Sequence, residues 1–132
     1  MTRRNFSSGS AWETSVGYSR AVRIGNLIEV AGTTAVDERG EVVGPNDPYL
    51  QAQYALGKIG RALAEAGAGF ENVIRTRMFV TDITRWEDVG RAHGEVFRDI
   101  RPAATLVQVA SLVRSDLLVE IEATAIVPEG FP

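Results

Sequence analysis

The sequence predicts an α+β domain of the order ββ(β)αβαββ, with two helices packed on one face of a mixed sheet, and three patterns carry that expectation. The turn dipeptide Gly25-Asn26 sits between two strand-like runs, Tyr18 to Ile24 and Leu27 to Ala31, as in an antiparallel hairpin. A long helical stripe follows, built from Ala52, Ala55, Leu56, Ile59, Ala62, Leu63 and Ala66 at spacings of three and four. The chain then closes on two strands, Pro102 to Ala110 and Leu117 to Ala125.

The remaining elements follow from local chemistry. Asp37-Glu38-Arg39-Gly40 reads as a looser turn leading to Glu41–Val43 as an edge strand, and Gly44-Pro45-Asn46 breaks the sheet pattern. Asp47 before Pro48 is a helix start, because the carboxylate caps free amides and proline costs nothing at the first helical position. Gly67 and Gly69 end that helix near Ala66. Val73 to Thr81 is strongly β-prone, and Thr84-Arg85-Trp86-Glu87 reads as a capping box opening a second helix to about Phe97, with Trp86, Val89, His93 and Phe97 on one side. With both helices on one face, the other face of the sheet is left uncovered, and its mixed character suits a wet surface, a subunit interface or an interfacial pocket.

The 132 residues fit one domain spanning 1–132, and 45% hydrophobic residues with a net charge of -3 fit a globular protein. No apolar run is long enough for a membrane span, and Arg3-Arg4 has no apolar stretch behind it, so neither a signal peptide nor membrane association is expected and the cytoplasm is the expected location. Zero cysteines remove disulfides, thiolate zinc sites and thiol nucleophiles, and a single histidine builds no multi-histidine metal site. Lys58, the only lysine, falls at a helix position expected to face solvent, which argues against Schiff-base chemistry. Arg75 and Arg77 raise nucleic acid as a partner, but an acidic chain whose only adjacent basic pair is Arg3-Arg4 lacks the basic stripe that RNA binding uses.

Carboxylates, arginines, hydroxyls and backbone are left to carry chemistry. Strand alternation puts Glu120 and Glu122 on one face and Val119, Ile121 and Ala123 on the other. The two carboxylates then lie about 6.6–6.8 Å apart, close enough for mutual repulsion to raise one pKa. That spacing equally suits a polar sheet face, with Glu122 paired to Arg75 or Arg77 on a neighbouring strand. His93, on the same stripe as Trp86, Val89 and Phe97, reads as a packed histidine.

Val16-Gly17-Tyr18, Gly25-Asn26-Leu27-Ile28 leading to Ala31-Gly32, Asn72 to Asp82, Pro102-Ala103 and Val119 to Ala123, taken together and in order, resemble the Rid (YjgF-type) family. Its members are reactive-intermediate or imine deaminases, also labelled translation inhibitors and L-PSP endoribonucleases. The resemblance covers nearly the whole chain and implies a chorismate-mutase-like α+β homotrimer with three small-molecule sites in clefts between subunits and no cofactor or metal. It implies hydrolysis of 2-enamino or 2-imino acids to 2-oxo acids and ammonia, with Glu120 as the catalytic carboxyl that positions and activates water. Tyr18 and Gly32 fall on ligand-lining positions, Tyr18 as a pocket wall and Gly32 as a backbone amide open to ligand.

The chain departs from that pattern at three further binding positions. Ala104 stands where active members carry the arginine that clamps the substrate carboxylate, Leu106 where many carry cysteine and Gly90 where many carry asparagine. Each change makes the pocket less polar. Loss of an arginine from a buried carboxylate pair costs about 2–5 kcal/mol, or roughly thirtyfold to several-thousandfold. The expectations are therefore replacement of the guanidinium by Arg101 or Arg114, a shift to a larger or neutral ligand, or a non-catalytic ligand-binding or protein-interaction trimer.

Overall fold

A computed structural model of the chain describes residues 1–129. Strands β1 (Arg3–Phe6), β2 (Ala21–Ile24), β3 (Leu27–Thr33), β4 (Val73–Val80), β5 (Ala103–Gln108) and β6 (Val119–Ile126) form one sheet in the order β1-β2-β3-β6-β4-β5. β4 and β5 run parallel, and every other neighbouring pair is antiparallel. Helices α2 (Pro48–Glu65) and α3 (Trp86–Phe97) lie side by side on one face, with α2 packed on β3 and β6, and a short helix α1 (Ala11–Val16) joins β1 to β2.

The long stripe builds the core as expected. Asp47 accepts a hydrogen bond from the Leu50 amide at 3.0 Å, Pro48 opens α2, and Ala52, Ala55, Leu56, Ile59, Ala62 and Leu63 are buried against Ile28, Val30, Ile121 and Ala123. Inward β6 residues alternate with Glu120 and Glu122, which leaves both carboxyls on the sheet face that carries no helix. Arg77 on β4 is the register partner of Glu122 and pairs with it at 3.6 Å.

Several local expectations are corrected. Tyr18 is not in a strand: β2 begins at Ala21, and Tyr18 lies in the link from α1, where Gly17 in the left-handed conformation (φ 89°) closes the helix. Glu41–Val43 is not an edge strand but part of a loop with one isolated bridge, Val36 to Val42. The box at Thr84 gives way to Asp82, which accepts from the Thr84 amide at 3.0 Å and hydroxyl at 2.6 Å and opens a 3-10 turn before α3. Trp86, expected on the packed side of α3, is 52% exposed.

Lys58 is the largest correction. The loop after β3 folds over the flank of α2, and the Lys58 ammonium donates to the carbonyls of Thr34 (2.9 Å) and Val36 (2.8 Å). Burial, then the nearby Arg20 and Arg61 charges, hold its pKa below the ordinary 10.5. With its ammonium committed to two carbonyls, Lys58 ties down the segment that follows Gly32.

Candidate functional site

The residues singled out by sequence fall into two groups on opposite faces of the sheet. Glu120, Gly32 and Tyr18 come together on one side. An added Cβ at Gly32 would collide with the Glu120 carboxyl, whose Cδ lies 2.9 Å from that point, so only a residue without a side chain lets the carboxyl lie against β3. Burial pushes the Glu120 carboxyl above its ordinary 4.5, Glu122 pushes the same way, and Arg20 pulls against both. The net effect favours a carboxyl that holds its proton longer than a solvent-facing one.

Arg20 belongs to this group, and sequence reasoning passed over it as one more residue of a strand. It lies between Tyr18 and the start of β2, with Nη1 donating to the Gly32 carbonyl at 3.0 Å and to Thr33 Oγ1 at 2.7 Å. Its guanidinium sits over the Tyr18 ring, 5.8 Å from the centroid, within the range of a cation–π contact. Arg20 and Glu120 thus meet the same residue, Gly32, one through its carbonyl and the other against its Cα. The signal available in the sequence was an arginine two residues beyond Tyr18, but its pairing with Gly32 depends on how β2, β3 and β6 assemble.

Ala104, Leu106 and Gly90 form the second group. Ala104 and Leu106 are the parallel register partners of Thr76 and Met78, both buried on the helix side, whereas Thr105 between them accepts from Arg75 Nη2 at 2.6 Å on the open face. Leu106 packs against the edge of the core. Gly90 lies on the exposed flank of α3 beside Trp86, whose ring carbons lie 3.7 Å from where a Cβ would stand. Thr76 Oγ1 and His93 Nε2 form a 2.8 Å hydrogen bond, and His93 stacks on Phe97 with centroids 4.6 Å apart. Burial lowers the His93 pKa below 6.5, consistent with a packed neutral imidazole.

Geometry keeps the groups apart within one chain. Glu120 pairs with Phe79 on β4, and Ala104 pairs with Thr76 across β4 on the opposite face. Two strand spacings separate β6 from β5, about 9–10 Å, with roughly 10 Å more along the strands and the sheet itself between. Of the two arginines expected to compensate at position 104, Arg114 is held by Asp116 (2.8 Å) and the Gly40 carbonyl (2.8 Å), and Arg101 is exposed at a positive φ of 59°. An open recess of about 410 Å³ on the outer flank of α2, lined by Val43, Leu50, Tyr54 and Arg61, touches neither group. No cluster of three metal-ligating side chains occurs among the described residues, and none of their helices is long and apolar enough to cross a membrane.

A mixed six-stranded sheet with helices on one face and a carboxyl pressed against a glycine on the other defines a small α+β protein with a polar half-site on its uncovered sheet face. The model of the Endoribonuclease L-PSP family matches residues 8–127, and the chain belongs to that family, the Rid or YjgF family of the resemblance above. An uncharacterized protein of Streptomyces coelicolor is 44% identical over 123 residues, covering 92% of this chain and 90% of that protein. A mouse protein named 2-iminobutanoate/2-iminopropanoate deaminase is 32% identical over 109 residues, covering 83% of this chain and 80% of its own. Among solved structures, a member of the YjgF/YER057c/UK114 family from Mycobacterium tuberculosis superposes with a TM-score of 0.87 at 48% identity, over 96% of this chain and all of that one.

Proposed function

We propose that the chain hydrolyses a reactive enamine or imine at clefts between the subunits of a cytoplasmic homotrimer, with Glu120 as the catalytic carboxyl and a specificity altered by Ala104. The observation that carries the reading is the division of the candidate residues. Tyr18, Gly32 and Glu120 occupy one face, Gly90, Ala104 and Leu106 the other, so a site that uses both sets is completed only when the open face of one copy meets the β5 edge of another. The uncovered face has the mixed composition of a subunit interface, with Phe79, Arg77 and Glu122 beside Glu120. The deaminase name carried by the mouse relative supports the reaction class.

The chemistry asks little of the protein. Water adds to the imine carbon, the carbon–nitrogen bond breaks and ammonia leaves, so one group must hold the water and move a proton. A half-buried carboxyl whose pKa lies above its ordinary value is better matched to that proton transfer than an exposed one. With alanine at position 104, that position offers no charge to a substrate carboxylate.

The test generates 2-iminopropanoate in situ and follows ammonia and 2-oxo acid release with wild type, Ala104→Arg and Glu120→Ala. Release by wild type that disappears in Glu120→Ala supports the enzyme. Release only by Ala104→Arg means that the scaffold persists with a different ligand, and silence in all three favours a trimer that binds without catalysis. Light scattering at micromolar concentration is expected to give three times the chain mass, and a single-chain mass would remove the shared cleft.

A further inference from the structure

We propose that Arg20 is the anion-recognising residue of the Glu120 half-site, so that the guanidinium absent from position 104 is supplied from the opposite wall of the cleft. The inference rests on the small-molecule cleft proposed above and identifies its ligand as one that carries a carboxylate.

Four observations converge on Arg20. Its Nη1 is anchored to the Gly32 carbonyl and Thr33 Oγ1, which fixes the plane of the guanidinium next to the residue that Glu120 touches. Its Nε and Nη2 hydrogen-bond to nothing among the described residues, and no carboxylate there lies within ion-pair distance of it. These two nitrogens form one edge of the guanidinium, the parallel fork that a carboxylate takes in a bidentate pair. The Tyr18 ring, 5.8 Å from the guanidinium carbon, gives that fork an apolar wall on one side.

Three other arginines are occupied. Arg75 donates to Thr105, Arg77 pairs with Glu122, and Arg114 is bound to Asp116. Glu13 influences Arg20 only at Coulombic range, because its own carboxylate accepts from the Ser8 amide at 3.1 Å and the Ser8 hydroxyl at 2.5 Å. Glu120 likewise makes no ion pair with Arg20 among the described residues. A small flat acid bound on the Arg20 fork would lie near Gly32, the residue that the Glu120 carboxyl also meets.

Calorimetric titration of 2-oxobutanoate and of its uncharged analogue 2-butanone reads the assignment without turnover. Wild type is expected to prefer the acid by about thirtyfold or more, the lower bound for loss of a buried charge pair. Arg20→Gln is expected to bring the two probes within about threefold, and Arg20→Lys, which keeps the charge but not the fork, to fall between. The ratio is internal to each variant, so general weakening of the fold does not imitate the effect. An unchanged ratio in Arg20→Gln, or no preference for the acid in wild type, overturns the proposal. If Glu120→Ala abolishes ammonia release while Arg20→Gln keeps the acid preference, the deaminase reading stands and the Arg20 assignment falls. A wild type that releases no ammonia but loses its acid preference on Arg20→Gln leaves the assignment standing without that reading.

Discussion

Around Glu120 the sheet presents Arg20, Tyr18 and Glu122, with the carboxyl pressed against Gly32 and its pKa displaced upward. Around Ala104, two strands away and on the other face, it presents Leu106 and Gly90, with Phe97 and His93 packed beneath. The first region is organised by charge and hydrogen bonding, and much of its polar capacity is left unused by the fold. The second is organised by packing, and its polar atoms, Thr76 Oγ1 and His93 Nε2, are spent on each other. Substitutions in the first should therefore alter chemistry with little loss of stability, and substitutions in the second should do the reverse.

The strongest test of that division is Phe97→Ala. Phe97 is 2% exposed, meets the Phe70 ring edge-on at 5.5 Å and carries the His93 ring. Its removal is expected to cost about 3–5 kcal/mol in urea unfolding. A cost below about 1 kcal/mol would mean that the region under Ala104 is not held by packing.

Gly32→Ala is the matching change in the polar region. The new methyl would collide with the far end of the Glu120 side chain rather than with backbone, so the carboxyl moves aside and the fold relaxes. Displacement of a reacting group by about 1 Å costs on the order of a hundredfold in rate, and the ammonia-release assay should show that loss. Unfolding midpoints should shift little. A large loss of stability with an unaltered rate would reverse the assignment of the two regions.

Their pH responses should also run in opposite directions. Glu120 has a folded pKa above its unfolded 4.5, so the folded state binds the extra proton between those values, and stability falls as pH rises through that window. His93 has a folded pKa below 6.5, so the unfolded state binds the proton, and stability rises with pH up to about that value. Urea titrations across this range should show the fall disappearing in Glu120→Gln and the rise disappearing in His93→Gln. A slope that survives its own substitution would show that the group named does not cause it.

The packed region was the more legible in sequence, because its signals are local and periodic. Asp47-Pro48 and the stripe from Ala52 to Ala66 specify α2 without reference to anything else in the chain. The open face was legible in part: alternation along β6 placed Glu120 and Glu122, since a strand's two faces follow from its own residues. What escaped was set by distant partners. β1 is four mostly exposed residues ordered by pairing with β2, and Lys58 looks solvent-facing until the loop after β3 folds across it. Arg20 is the same kind of omission, because its neighbours Gly32 and Glu120 are brought to it by the register of three strands. Helix α1 was an avoidable one: Ser10 caps its start and Gly17 its end, both visible as residue types.

The smallest expected effect separates structure from chemistry inside the polar region itself. Glu122 pairs with Arg77 at 3.6 Å, but both side chains are about a third or more exposed, and such pairs contribute about 0–1 kcal/mol. Glu122→Gln should therefore change unfolding free energy by no more than about 0.5 kcal/mol, at the resolution of a careful urea titration. The same substitution removes one of the two influences that raise Glu120, and burial alone remains to oppose Arg20. The acid limb of the activity profile should then move to lower pH while the melting curve stays where it was. If the limb does not move, Glu122 is only a surface partner of Arg77, and the two carboxyls of β6 act independently despite sharing a face.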